Sequence, residues 1–159
     1  IGADLRLGNS MASRLRESAQ QRQTLELIRG ELAIGSGWEV DPTPSHQWSC
    51  GMAGRQPVLA LGLDGSDSRA SAQTIVYSVG AAPSAIWRGQ VLMRCGPAYG
   101  LDGVIRPGGI AQNRVLIDGL PKDGLGFEAW QDPQSKVLHL ALEQESLAGS
   151  SGLRSAAVF

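Results

Sequence analysis

From Leu5 to Ala33 no proline interrupts the chain. The polar positions in this run (Arg14, Arg16, Glu17, Gln20, Gln21, Arg22, Gln23, Glu26, Arg29 and Glu31) are almost all good helix formers, so the stretch reads as one helix. Its apolar residues Leu7, Met11, Leu15, Leu25, Ile28 and Leu32 recur at three- and four-residue steps. Ala19 and Arg22 bridge the gap between Leu15 and Leu25. At 1.5 Å per residue such a rod is about 43 Å long, wider than the small domain that the remaining residues can build. Leu25, Ile28 and Leu32 are therefore expected in the domain's own core. Leu5, Leu7, Met11 and Leu15 are expected to reach past it and to need a partner or a membrane-proximal continuation. The competing reading is an ordinary amphipathic helix packed wholly on its own domain.

The rest of the chain has a different character. Most of the 21 glycines and 8 prolines follow residue 34, which describes short elements joined by tight turns and favours strands over further helices. One domain is expected at this length, with the helix over 1–34 and a β-rich head over 35–159. Net charge is -1 and Lys122 and Lys136 are the only lysines, so no electrostatic surface for nucleic acid is indicated. No apolar run reaches membrane-spanning length. The chain opens at Ile1 without a methionine or a signal peptide, and the start reads as cut. Cys50 and Cys95 have no histidines at metal-ligand spacing. A disulfide, with the oxidising compartment it implies, is the preferred reading, and two buried thiols are the alternative.

Gly35 and Gly37 follow the last periodic residue, where a left-handed glycine would close the helix. Trp38 to Gly54 reads as an irregular connection with a short strand around Gln47 to Cys50. Five segments then read as strands: Val58 to Leu63, Gln73 to Val79, Gln90 to Cys95, Arg114 to Asp118 and Lys136 to Leu142. A weaker sixth lies at Phe127 to Gln131. In Lys136 to Leu142 the residues Leu138, Leu140 and Leu142 form a leucine face. In Thr74 to Val79 the residues Ile75, Tyr77 and Val79 form the larger face of a sheet expected to be covered on one side. The long helix is the obvious cover, giving an α+β fold with one helix packed across an antiparallel, hairpin-connected sheet. The tail from Glu143 to Phe159 reads either as frayed or as an edge strand.

Catalytic motifs are missing from the text: no G-x-S-x-G, Walker A, G-x-G-x-x-G or H-E-x-x-H occurs. His139 lies between leucines on a strand, where an imidazole on the polar face is the common case, and His46 stands in unlike surroundings. Asp64, Ser66, Asp67 and Ser68 offer oxygens at short spacing, a weak candidate for calcium centred on Asp64 and Asp67. The cluster lacks the twelfth-position glutamate of an EF-hand. No other cofactor is suggested. Trp38, Trp48, Trp87 and Trp130 could form a sugar-binding platform if they shared one exposed face.

The order of motifs resembles the type IV pilin-like proteins, and among them the minor pseudopilins of the J type in type II secretion and the related W-type minor pilins. Arg14-Leu15-Arg16-Glu17 and the text from Gln23 to Leu32 are similar to the end of their first helix. Thr74 to Val79 is similar to their strand with a central tyrosine, and Val91-Leu92-Met93-Arg94 to the next strand, ending in arginine. Arg114 to Leu120 with Phe127 is similar to the segment before their penultimate strands, and Lys136 to Glu143 to their late leucine-alternating strand.

The resemblance implies a prepilin-peptidase site and a hydrophobic half-helix upstream, inserted in the inner membrane before assembly, with a glutamate near the mature N-terminus. None of these lies in this sequence. It also implies other pilin or pseudopilin subunits as partners and a location in the bacterial periplasm or at the cell surface. Major pilins place their disulfide near the C-terminus. Cys50 and Cys95 depart from that pattern, so the receptor-binding loop is not carried over. The expected function is a structural subunit in filament-tip assembly or surface contact, without enzymatic activity. The alternatives are a secreted glycan- or protein-binding module and a hydrolase with dispersed residues.

Overall fold

The computed structural model describes residues 2–63, 74–106, 110–123, 126–145 and 153–158; for 2–7, 9, 10 and 153–158 the description is of the backbone alone. The loop with Asp64 and Asp67 lies outside the described residues. The chain is α+β: one helix, α1 (Gly2–Ile34), followed by strands β1 (Gly37–Val40), β2 (Arg55–Gly62), β3 (Thr74–Gly80), β4 (Gln90–Pro97), β5 (Ala111–Leu120), β6 (Phe127–Gln131), β7 (Leu138–Gln144) and β8 (Leu153–Val158). All pairings are antiparallel. They form two sheets, one of order β1-β2-β3-β4-β5 and one of order β6-β7-β8, each a simple meander.

One face of the large sheet carries Leu59, Leu61, Ile75, Tyr77, Val79 and Leu92. Over it lie Leu25, Ile28 and Leu32 of the helix and Phe127, Leu138, Leu140 and Leu142 of the small sheet, all in one buried cluster. Helix and small sheet thus share the cover. Each leucine, isoleucine or phenylalanine fully removed from water here contributes on the order of 1.5–3 kcal/mol.

The other face is covered as well, which corrects the expectation of a one-sided sheet: every residue of β3 is buried. Trp48, with Met52 beside it, packs on Ala60 and Val76 of the outer face. Cys95 pairs in register with Val76, so its side chain stands on that face, and it is bonded to Cys50 across 45 residues of sequence. The bridge holds the 41–54 connection against the sheet.

Two local expectations are corrected, and the open reading of the tail is decided. Gln47 to Cys50 is turn and bend, whereas the strand of this region is β1, whose Gly37 to Val40 pair with Gly62 to Leu59. Four residues carry too little alternation to announce a strand, and pairing with β2 decides the matter. Neither Gly35 nor Gly37 is left-handed. Gly35 instead permits a close approach, because a Cβ there would sit 3.2 Å from the Gly62 carbonyl oxygen, to whose peptide Ser36 donates a hydrogen bond. The helix therefore ends by joining the sheet. The tail forms β8, paired along β7 from His139–Val158 to Gln144–Leu153.

Candidate assembly surface

The helix has two unlike halves. From Glu17 onward Glu17, Gln21, Thr24, Leu25, Ile28, Glu31 and Leu32 are buried. The seam through 17, 21, 24, 28 and 31 advances in alternate steps of four and three, as a face laid along a surface must. The gap between Leu15 and Leu25 is thus bridged by Glu17, Gln21 and Thr24 rather than by Ala19 and Arg22, of which the first is half-buried and the second exposed. Two polar side chains on this seam, Gln21 and Glu31, are matched from the sheets, whereas Thr24 donates to the Gln20 carbonyl of the helix itself at 2.8 Å. Gln21 Nε2 donates to Gln144 Oε1 at 3.1 Å, and Gln144 Nε2 donates to the Asp118 carbonyl at 2.9 Å. Buried amides left unpaired would cost about 1–3 kcal/mol each, so these bonds fix the height of the helix on the head more than they add stability.

Nearer the C-terminal end of the helix, Glu31 is the centre of a buried ionic node. Arg94 Nε lies 2.9 and 2.8 Å from the two carboxylate oxygens of Glu31, and Arg94 Nη2 lies 2.6 Å from Oε2. The same Nη2 donates to the Pro97 carbonyl at 3.0 Å. Tyr77 donates its hydroxyl proton to Glu31 Oε1, and Tyr99 donates to Oε2 at 3.0 Å. The guanidinium carbon of Arg94 sits 5.4 Å from the Tyr99 ring centroid.

Tyr77 and Arg94 are register partners on β3 and β4, so both side chains rise from one face toward the helix. Burial pushes the Tyr77 hydroxyl well above its ordinary pKa, and the Glu31 charge pushes it further. Burial and Glu31 raise Tyr99 to about 12. Burial alone would lower Arg94, but its hydrogen bonds and attraction to Glu31 outweigh that and raise it, so the guanidinium stays charged. A carboxylate satisfied by three partners is tolerable in a core, whereas one that has lost its cation is not.

Before Glu17 the helix leaves the head. Gly8, Met11, Ala12, Arg14, Leu15 and Arg16 are exposed, with Met11 at 58% and Leu15 at 69%. The helix has 33 residues, a length of about 50 Å. At 3.6 residues per turn Leu15 lies roughly 140° around the axis from Ile28, and Met11 roughly 100°. These two groups, one turn apart, lie off the buried seam and are covered by none of the described residues. A further exposed apolar group, Leu101, Val104 and Ile110, sits on the β4–β5 connection.

The other candidates from the sequence are dispersed. Trp48 is buried on the outer face, Trp38 packs at the margin of the main core, and Trp87 lines a groove of about 300 Å³ with Gln20, Gln23 and Leu27. Trp130 is exposed on β6 and stacks on His139, with ring centroids 5.3 Å apart and planes 5° from parallel. The four tryptophans do not form one platform. His46 is exposed in a turn, and among the described residues no group of histidine, cysteine, aspartate and glutamate could hold a metal ion. No described helix is long and apolar enough to cross a membrane.

The node was missed as a unit although three of its members stood in plain text. An arginine inside the apolar run Val91-Leu92-Met93-Arg94-Cys95 calls for a buried carboxylate, and Glu31, between Ile28 and Leu32, is the acid on the inward face of the helix. Tyr99 gave no signal, because it stands in a loop that only the tertiary fold brings over Glu31. Comparison of the chain with known protein families, with curated proteins and with solved structures finds no match.

Proposed function

We propose that this chain is a structural and assembly subunit, a minor pilin or pseudopilin whose α+β arrangement is pilin-like, and that it acts by contact at a filament tip rather than by making or breaking bonds. The observation that carries the reading is the helix that is pinned to the head through Glu31 and Gln21 while Met11 and Leu15 lie off the buried seam in water. A pinned helix transmits position; a free apolar stripe on its far end supplies a packing surface for a neighbouring helix. The disulfide suits an oxidising compartment, in keeping with the periplasm or the cell surface. In this reading the partners are other pilin-like subunits, and an apolar segment ahead of residue 1 holds the precursor in the inner membrane.

The test is photo-crosslinking in the producing cell, with a benzophenone amino acid placed at Leu15 and, as control, at Ile86, which is 83% exposed on the head. The expected result is a discrete adduct from position 15 to proteins that carry a long N-terminal apolar helix, and none from position 86. Equal labelling at the two positions, or no adduct at 15, contradicts the proposal.

A further inference from the structure

Between the helix and β5, the edge strand of the large sheet, a groove of about 300 Å³ opens. Its helix wall is Gln20, Gln23 and Leu27, whose spacing of three and four places them on one stripe beside the buried seam. Its sheet wall is Arg114 and Leu116. A β-bulge shapes that wall. Leu92 pairs with Ile117 and Met93 with Val115, which leaves Leu116 as the extra residue and lets Arg114 and Ile117, three apart, share the helix side of the sheet. Trp87, half-buried on the connection from β3 to β4, completes the lining beside Asp118. The next residue holds it there: the Arg88 N–H donates to Asp118 Oδ2 at 2.8 Å, and the Gly119 N–H donates to the Arg88 carbonyl at 2.6 Å. Thr24 and Ile117 also touch the groove, but both are buried and belong to the core.

The chemistry of this lining selects the ligand. Among the described residues none hydrogen-bonds the Gln23 amide, the Trp87 indole N–H or the Arg114 guanidinium. Gln20 Oε1 meets Gln144 only at 3.5 Å, and Asp118 engages Arg88 through Oδ2 and leaves Oδ1. One carboxylate and one guanidinium balance, so neither an anion nor a cation gains from the lining as a whole. An apolar ligand would strip water from two amides and two charged groups without replacing it. A neutral polyol with a C–H face suits both parts: its ring stacks on an indole, while amides, carboxylate and guanidinium bond its hydroxyls. The volume stands at the lower end of small-molecule sites, which begin at about 300 Å³. We infer that the groove binds a neutral saccharide, its C–H face on Trp87 and Leu116 and its hydroxyls on Gln20, Gln23, Arg114 and Asp118 Oδ1. This inference does not rest on the filament reading.

The test uses the whole chain, ¹⁵N-labelled, with the Trp87 indole N–H and the Gln23 side-chain amide as reporters, each read in the variant that removes the other. Maltose, cellobiose, lactose and N,N′-diacetylchitobiose are the probes, and glycerol, choline and acetate are the controls. Saturable shifts with at least one disaccharide and none with the controls support the inference. So does binding at least about tenfold weaker in Trp87→Ala and in Gln23→Ala, the second being an exposed position whose change leaves the fold intact. Trp130→Ala, which removes the exposed indole of the small sheet, should leave sugar binding unchanged. No saturation by any of the four sugars up to about 20 mM, equal response to glycerol or to either ion, or sugar binding that survives both groove variants overturns it. Loss of binding in Trp130→Ala with Trp87→Ala unaffected overturns it as well.

Discussion

The two halves of the N-terminal helix are similar in composition and opposite in surroundings. Residues 17–34 bury a mixed seam in which Glu31 and Gln21 find partners on the sheets, whereas Met11 and Leu15, more apolar than either, stay in water. Hydrophobicity alone would have sorted them the other way. What docks the later half is complementarity: polar groups placed where the head presents matching donors and acceptors, with Leu25, Ile28 and Leu32 filling the space between. What frees the earlier half is phase, since Met11 and Leu15 lie off the buried seam.

The comparison can be broken first at its strongest point. Arg94→Met leaves the Glu31 carboxylate buried without its cation and is expected to cost about 3–5 kcal/mol in chemical denaturation, while the double change with Glu31→Leu recovers most of that loss. A smaller effect is expected from reduction of the Cys50–Cys95 bond, about 2–4 kcal/mol in the same assay, because the bridge closes a 45-residue loop on the face opposite the helix. Helix content measured by circular dichroism below the transition should not change on reduction.

Alkaline titration sharpens the picture further. A tyrosine titrating near 10 when unfolded and at about 12 when folded keeps its proton longer in the native state. Its contribution is complete below about pH 10 and is lost as pH rises toward 12. Tyr99→Phe is therefore expected to flatten the fall in stability across that window, read as melting temperature against pH. The remaining fall comes from Tyr77, which is raised further from its ordinary value. Smallest of all, Met11→Ser and Leu15→Ser should change the stability of the isolated chain by no more than about 0.5 kcal/mol, since neither side chain leaves water on folding.

The helix, the strands from β2 to β7 and the leucine face of β7 were legible in the text because each rests on a local period. Less legible were features set by distant pairing. β1 is four residues long and β8 is a run of small residues, and both are strands because β2 and β7 lie beside them. The second covered face of the large sheet was hidden for the same reason, since Trp48 and Cys50 sit in a segment without periodicity and are delivered to Ala60, Val76 and Cys95 by the disulfide. In the candidate assembly surface, the exposure of Met11 and Leu15 was expected from the length of the helix. The polar seam did not, because Gln21 and Glu17 look like solvent-facing helix residues until their positions opposite the sheets are known.

Amide hydrogen exchange along the helix of the isolated chain, read by mass spectrometry, tests the central claim most directly. Protection should be strong from about residue 20 to 33, where opening requires release of the Glu31 node. It should fall to that of a fraying helix end over residues 8–16, where all the described side chains but Ser13 are exposed. Protection of equal strength in both stretches would mean that the first half is held by its own domain, and would contradict the account of a surface kept for a partner.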